Sequence, residues 1–258
     1  ALLNLCAVAP AAETVLHYAA PAASWNEALP VGNGRLGAMV FGGVSTERIQ
    51  LNEETVWAGP PLPLDAPGAG AAVVEARRLI FAGRYADAEK LLAARALGER
   101  ISPRSHQTLG DLRLTFAALP DPVGYRRELD LDTAVATTRF ASAGVEFSRA
   151  VFVSPGAQTI VVHLTASQPG RLSFDVALDR PADFATAVAG ADTIALRGQA
   201  QHKGKQLGVP FEARVRVLAR GGTVASVDGR LRVTAADEAT LLIAAALLAA
   251  SAIAGRAG

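Results

Sequence analysis

The sequence predicts a mainly β fold: an antiparallel two-sheet super-sandwich with a short helical pair inserted at about residues 71–97. Three observations predict it. Most of the chain alternates apolar and polar residues with a period of two, which puts one face of each strand into a core. Turn signals divide these stretches into short strands roughly 8–12 residues apart, as in sandwiches and barrels. One stretch alone changes to helical spacing.

The strands follow in order. Ala38-Met39-Val40-Phe41 and Ile49-Gln50-Leu51 read as two strands flanking Gly42-Gly43. From Ala71 to Leu97 the apolar positions fall at Val73, Val74, Ala76, Leu79 and Ile80, then Tyr85, Ala88, Leu91 and Leu92. Gly83 divides this run into two helices, and Pro60, Pro61, Pro63 and Pro67 mark the loop before it. Strand patterns return in Asp111–Phe116, Val145–Val153, Thr159–Leu164, Leu172–Leu178, Phe211–Val217 and Leu231–Val233. Ser142-Ala143-Gly144, Gln168-Pro169-Gly170 and Gly221-Gly222 are turns. Asp228-Gly229 between Val224–Val227 and Leu231–Val233 is a strong hairpin signal, because both loop positions must take positive φ.

Composition excludes several functions. Half of the 258 residues are hydrophobic, too many for an intrinsically disordered chain. Twenty-five Lys+Arg against 24 Asp+Glu leave a net charge of +1, so no basic field awaits a nucleic acid. One cysteine forms neither an internal disulfide nor a thiolate zinc cluster. His17, His106, His163 and His202 are scattered without ligand spacing, so no metal and no cofactor is expected.

The ends carry their own expectations. Residues 1–12 are apolar, uncharged and closed by small residues, with an Ala7-Val8-Ala9 site, and read as the remnant of an export signal; a periplasmic or secreted location follows. Cys6 lacks a small residue before it, so a lipid anchor is not expected. Ala239 to Gly255 is apolar but Ala-rich and only at the lower length limit for a span, about 17 residues. A buried strand at Thr240–Ile243 is the reading here, not a membrane helix. Residues 13–246 then form one sandwich, and 247–258 an apolar tail that begins a further domain.

The most distinctive segment runs from Trp25 to Pro61. Its Gly32-Asn33-Gly34-Arg35-Leu36-Gly37 matches a dinucleotide fingerprint in letters only. Pro30 precedes it and a strand, not a helix, follows, so a tight glycine turn is expected. Asn52, Glu53, Glu54 and Trp57 cluster where the next strand ends. An amide, carboxylates and an indole are the parts of a sugar-binding surface, and equally of caps and core. Glu53, Glu54, Asp130 and Asp132 are acid/base candidates by residue type. Adjacent strand residues point apart, so Glu53–Glu54 makes a poor pair, and nothing selects another.

Ala28-Leu29-Pro30-Val31-Gly32-Asn33-Gly34-Arg35-Leu36-Gly37-Ala38-Met39 and Ile49–Trp57 closely resemble the opening of family 95 glycoside hydrolases, the α-L-fucosidase and α-L-galactosidase group. Ser105-His106-Gln107-Thr108-Leu109-Gly110-Asp111-Leu112 resembles the next landmark of that family, with His106 in place of its Tyr and Thr108 in place of its Pro. Tyr125–Leu131 is similar to a third. The resemblance covers roughly Leu16 to Ala246. It implies an N-terminal β-sandwich that packs on a catalytic (α/α)6 barrel absent from this chain. In the whole enzyme the barrel carries the catalytic residues and hydrolyses fucosylated or related oligosaccharides with inversion. It also implies that Asn33, Arg35, Asn52, Glu53 and Trp57 face the barrel or the rim of its sugar pocket. No catalytic residue is expected within the chain. The other reading is a free-standing carbohydrate-binding sandwich.

Overall fold

The computed structural model describes residues 14–59, 66–97, 105–117, 119–202 and 206–248. The expected signal remnant, Pro60, Pro61 and Pro63 of the loop, and the tail from residue 249 lie outside the described residues.

The chain opens with β1 (Val15–Tyr18), a 3-10 turn (Trp25–Glu27), β2 (Leu29–Gly32), β3 (Leu36–Val40) and β4 (Thr46–Glu53). Two helices follow, α1 (Ala69–Phe81) and α2 (Tyr85–Arg95). Then come β5 (Gly110–Phe116), β6 (Val123–Asp130), β7 (Val135–Ser142), β8 (Val145–Ser154), β9 (Thr159–Ala166) and β10 (Leu172–Asp179). The last six are β11 (Phe184–Val188), β12 (Thr193–His202), β13 (Gln206–Arg220), β14 (Thr223–Val227), β15 (Arg230–Ala236) and β16 (Glu238–Leu247).

The strands form two antiparallel sheets. One has nine strands in the order β1-β6-β7-β8-β9-β16-β13-β12-β11, the other seven in the order β14-β15-β10-β5-β4-β3-β2. β2 and β3 lie against β7, β8 and β9, while β15 lies against β12 and β13. The inward residues of both sheets form one core, with Ile49, Leu112, Val162, Val176, Phe211 and Leu241 fully buried. The edge strands β1, β2, β11 and β14 have four, four, five and five residues.

The turn chemistry acts as its residues require. Asp228 and Gly229 both have positive φ, 50° and 75°, and close the two-residue hairpin between β14 and β15. Gly83 (φ 75°) ends α1. Its N–H donates to the Ile80 carbonyl and that of Arg84 to Leu79, which satisfies the last carbonyls of the helix.

The helical pair is where hydrophobic spacing and burial part company. Only Ala72, Ala76 and Ala88 are buried, because small residues let the two helices approach closely. Val73, Val74, Ile80, Phe81, Tyr85 and Leu97 are exposed. The pair lies between β4 and β5 in the chain, and no described helix is long and apolar enough to cross a membrane.

Between the sheets, near the β3–β4 turn, sits a buried ionic cluster. Arg149 on β8 is 4% exposed and its Nη1 donates to Glu47 Oε2 on β4 at 3.1 Å. It also donates to the carbonyls of Gly43 and Val44, and its guanidinium lies over the Phe116 ring at 4.1 Å. Glu47 Oε1 accepts the Gly42 N–H at 2.9 Å. Burial pushes the Glu47 carboxyl up, and Arg149 opposes that shift. The Tyr125 hydroxyl donates to the Gly42 carbonyl at 2.6 Å, and burial pushes its pKa up to about 12. A raised folded-state pKa stabilises the protein below the unfolded value and ceases to do so as pH rises through the folded one. Alkaline absorbance titration should therefore show one of the three tyrosines ionising late, near pH 12 or with unfolding. Tyr125→Phe should remove that phase; a titration unchanged by the substitution would contradict the assignment.

Candidate functional site

The residues singled out by sequence gather at one end of the sandwich, opposite the buried ionic cluster. Asn33, Gly34 and Arg35 join β2 to β3. Asn33 Oδ1 accepts the N–H groups of Arg35 (3.0 Å) and Leu36 (2.8 Å), and Gly34 has φ 95°, the tight glycine turn that the sequence called for. The turn aims Arg35 across to the other sheet. Its Nε donates to Gln158 Oε1 at 2.9 Å, and its Nη1 donates to the Ala245 carbonyl on β16 at 3.2 Å. Nη1 also reaches Glu53 Oε1 at 3.4 Å. Asn33 Nδ2 adds donors to the Ser154 carbonyl and Gln158 Oε1. Arg35 and Asn33 thus clamp the two sheets together at this end.

Glu53 ends β4 with its side chain turned inward, only 4% exposed. Its Oε2 accepts from the Thr55 N–H (2.8 Å) and hydroxyl (2.6 Å). A buried carboxylate is costly unless paired and hydrogen-bonded, and here it is both. The sequence-based picture of an exposed Asn-Glu-Trp cluster therefore holds only in part: Trp57 is exposed and Asn52 half-buried, whereas Glu53 is a latch inside the domain. Glu54 is exposed in the turn that follows β4.

Trp57 is held at the surface by its surroundings. Its indole Nε1 donates to the Glu54 carbonyl at 3.0 Å, and its ring meets His106 edge-on at 5.3 Å. Trp57 and His106 form an isolated antiparallel bridge, and His106 Nε2 lies 3.0 Å from the Glu53 carbonyl oxygen. Gln107 Nε2 donates to the Gln201 carbonyl at 2.9 Å, while Arg180 Nη2 donates to Gln107 Oε1 at 2.7 Å. Thr108 Oγ1 donates to the Leu51 carbonyl at 3.0 Å and accepts the Gly110 N–H. Residues 105–110 thus pin the end of β4 to β5 and to the neighbouring sheet.

Asp130 ends β6, and Asp132 lies in the β6–β7 turn. Asp130 Oδ1 accepts the N–H groups of Asp132 and Thr133, which hold its carboxyl below the usual range, and Asp132 Oδ2 accepts the Thr14 hydroxyl. The structure brings Asn33, Arg35, Glu53 and Trp57 to one end and leaves these two aspartates at a separate turn. Sequence reasoning missed Gln158, Thr55 and Arg180. Ser154-Pro155-Gly156 signals a turn, but nothing in it names a partner 123 residues away.

The family model described as "Glycosyl hydrolase family 65, N-terminal domain" matches residues 16–247, nearly everything described. The chain belongs to this family. This family 65-type N-terminal domain is 36% identical over 256 residues to "Alpha-L-fucosidase 2" of Arabidopsis thaliana, covering 89% of the chain and 30% of that protein. It is 29% identical to "Probable alpha-fucosidase A" of Aspergillus niger, covering 85% and 28%, and 26% identical to the protein so named in Aspergillus oryzae, covering 88% and 32%. The domain spans about a third of the length of the curated relatives it matches.

Proposed function

We propose that this chain is the non-catalytic N-terminal domain of an inverting α-L-fucosidase-type glycoside hydrolase of the family 95 kind, seated against a helical catalytic barrel. One observation carries the reading: relatives named as fucosidases match 85–89% of this chain, yet the match occupies only 28–32% of their length. The geometry supports it. Three of the four carboxylates that sequence offered as acid or base, Glu53, Asp130 and Asp132, accept hydrogen bonds that hold the domain's own turns. The exposed apolar residues of α1 and α2 form a surface that a second domain would cover. The connection bearing that pair, the Arg35 clamp and the last residues of β16 share one end of the sandwich. Asn52 and Trp57 are offered there to the barrel or to the rim of its sugar pocket. Export to the periplasm or beyond the cell belongs to the same proposal.

The purified chain is expected to release no fucose from an aryl α-L-fucoside or a 2′-fucosylated oligosaccharide. A chimera in which this chain replaces the matching region of the Arabidopsis relative is expected to hydrolyse both. Turnover by the chain alone, or a folded chimera without activity, would overturn the proposal.

A further inference from the structure

The outer face of the seven-stranded sheet carries a second tryptophan with a different setting. Trp25 stands in the 3-10 turn before β2 and is 53% exposed. Its indole Nε1 donates to Gln50 Oε1 on β4 at 2.7 Å, so the ring is fixed at the sheet surface and not free to swing. The turn beneath it is locked in addition: Glu27 accepts the Ala23 N–H (2.7 Å) and the Ser24 hydroxyl (3.0 Å), and Arg127 Nη1 donates to the Glu27 carbonyl at 2.7 Å.

Polar groups continue across the sheet from Gln50. Gln50 lies directly opposite Asp111 in the β4–β5 register, and Arg48 and Asn52 share the outward face of β4 with it. Asp111 Oδ2 accepts from Arg48 Nε (2.9 Å) and Arg113 Nη2 (3.1 Å). Its Oδ1 is buried and has no hydrogen-bond partner among the described residues. That oxygen is closed off from the surface, so the pair meets a ligand through the half-buried Arg48 guanidinium, which Asp111 holds in place. The charges here balance: Arg48 and Arg113 against Asp111 and Asp179. A balanced patch gives no net attraction to an anion.

We propose that Trp25, Gln50 and the Arg48–Asp111 pair form a carbohydrate-binding platform for a neutral oligosaccharide. A pyranose ring has one apolar face and a rim of hydroxyls. The indole covers the first, and the Gln50 amide and the Arg48 guanidinium supply hydrogen bonds for the second. The platform lies on the broad face of the sheet, apart from the end that holds Trp57, and it stands whether or not the chain supports a catalytic domain.

The test is a fluorescence titration of the 258-residue chain, whose only indoles are Trp25 and Trp57, with 2′-fucosyllactose, lactose and cellotetraose, and with heparin as the anionic comparison. A saturable change with at least one neutral sugar is expected. Trp25→Ala, followed by isothermal titration calorimetry because the substitution removes the reporting indole, should weaken binding about tenfold or more, because stacking supplies much of such an affinity. Gln50→Ala should weaken it as well, by freeing the indole, and Trp57→Ala should leave it in place. Circular dichroism melts confirm that the variants fold; if Trp25→Ala does not, Trp25→Phe and Gln50→Ala carry the comparison. No saturable change with any neutral sugar up to tens of millimolar, preference for heparin, or loss in Trp57→Ala alone would overturn the platform. None of these outcomes bears on hydrolysis, so failure here is distinguishable from failure of the domain assignment.

Discussion

Arg149→Ala should be the most damaging single change in the molecule. The substitution strips Glu47, only 1% exposed, of its counter-ion and leaves the carbonyls of Gly43 and Val44 without their donor. Removing one partner of a buried pair costs roughly 3–5 kcal/mol, because the remaining charge is left uncompensated. Replacing both partners with apolar residues, as in Glu47→Leu with Arg149→Met, should recover much of the loss, since the pair's own desolvation cost disappears with it. The pH dependence has a definite sign. Burial already raises the Glu47 carboxyl, and without Arg149 on the facing sheet only the N–H groups of Gly42 and Gly43 oppose that. A folded-state pKa raised above the unfolded value contributes stability at low pH that is lost as pH rises. The deficit of Arg149→Ala should therefore be greatest at neutral pH and shrink on acidification as Glu47 protonates. Urea denaturation of wild type, single and double variants at two pH values checks all three statements. A single variant within about 1 kcal/mol of wild type, against an expected loss of roughly 3–5 kcal/mol, would show that the cluster is not a stabilising unit.

Gly110→Ala is expected to be nearly as severe. Gly110 starts β5 with φ 142°, a backbone conformation that residues with a Cβ rarely adopt. An added Cβ would lie 2.8 Å from the Asp179 carbonyl oxygen and 3.3 Å from Leu196 on the facing sheet. Backbone strain of about 1–3 kcal/mol and overpacking of about 1–3 kcal/mol then act together. Gly124 is the control: its φ is 62°, but a Cβ there would meet nothing within 4 Å. Gly124→Ala should cost only the conformational part. If thermal melts place the two alanines at equal stability, the close approach at Gly110 does not matter.

The contrast between these glycines bears on what could be read in advance. The sequence marked both as glycine, yet the need for Gly110 comes from strands β10 and β12, remote in the chain. The strands with clean alternation, such as β5, β10 and β13, were legible because one face is buried and the other wet. β7 and β12 were not read, since Ala, Thr, Gly and Gln dilute their apolar face. β2 was hidden by Pro30, which an edge strand tolerates. The helical pair was read from its spacing, but spacing alone does not say what covers a face, and most of that face is exposed. Within the site, Asn52 and Trp57 stood out by residue type, and Asn33 and Arg35 through the family resemblance. The inward turn of Glu53 did not, because it depends on Thr55 and on an arginine 18 residues away that folding brings near.

The four terminal strands of the two sheets, β1, β2, β11 and β14, are only four or five residues long. Unpaired backbone along a sheet margin is a template on which a second chain can grow, and its potency rises with its length. Here each margin offers too few rungs for such a ladder, and on β2 the proline removes one more donor. A domain with sixteen strands is thereby guarded against fibrous self-assembly at its borders. On the helical appendage, with Val73, Val74, Ile80, Phe81 and Tyr85 exposed, association takes the form of side-chain packing and leaves the β architecture intact.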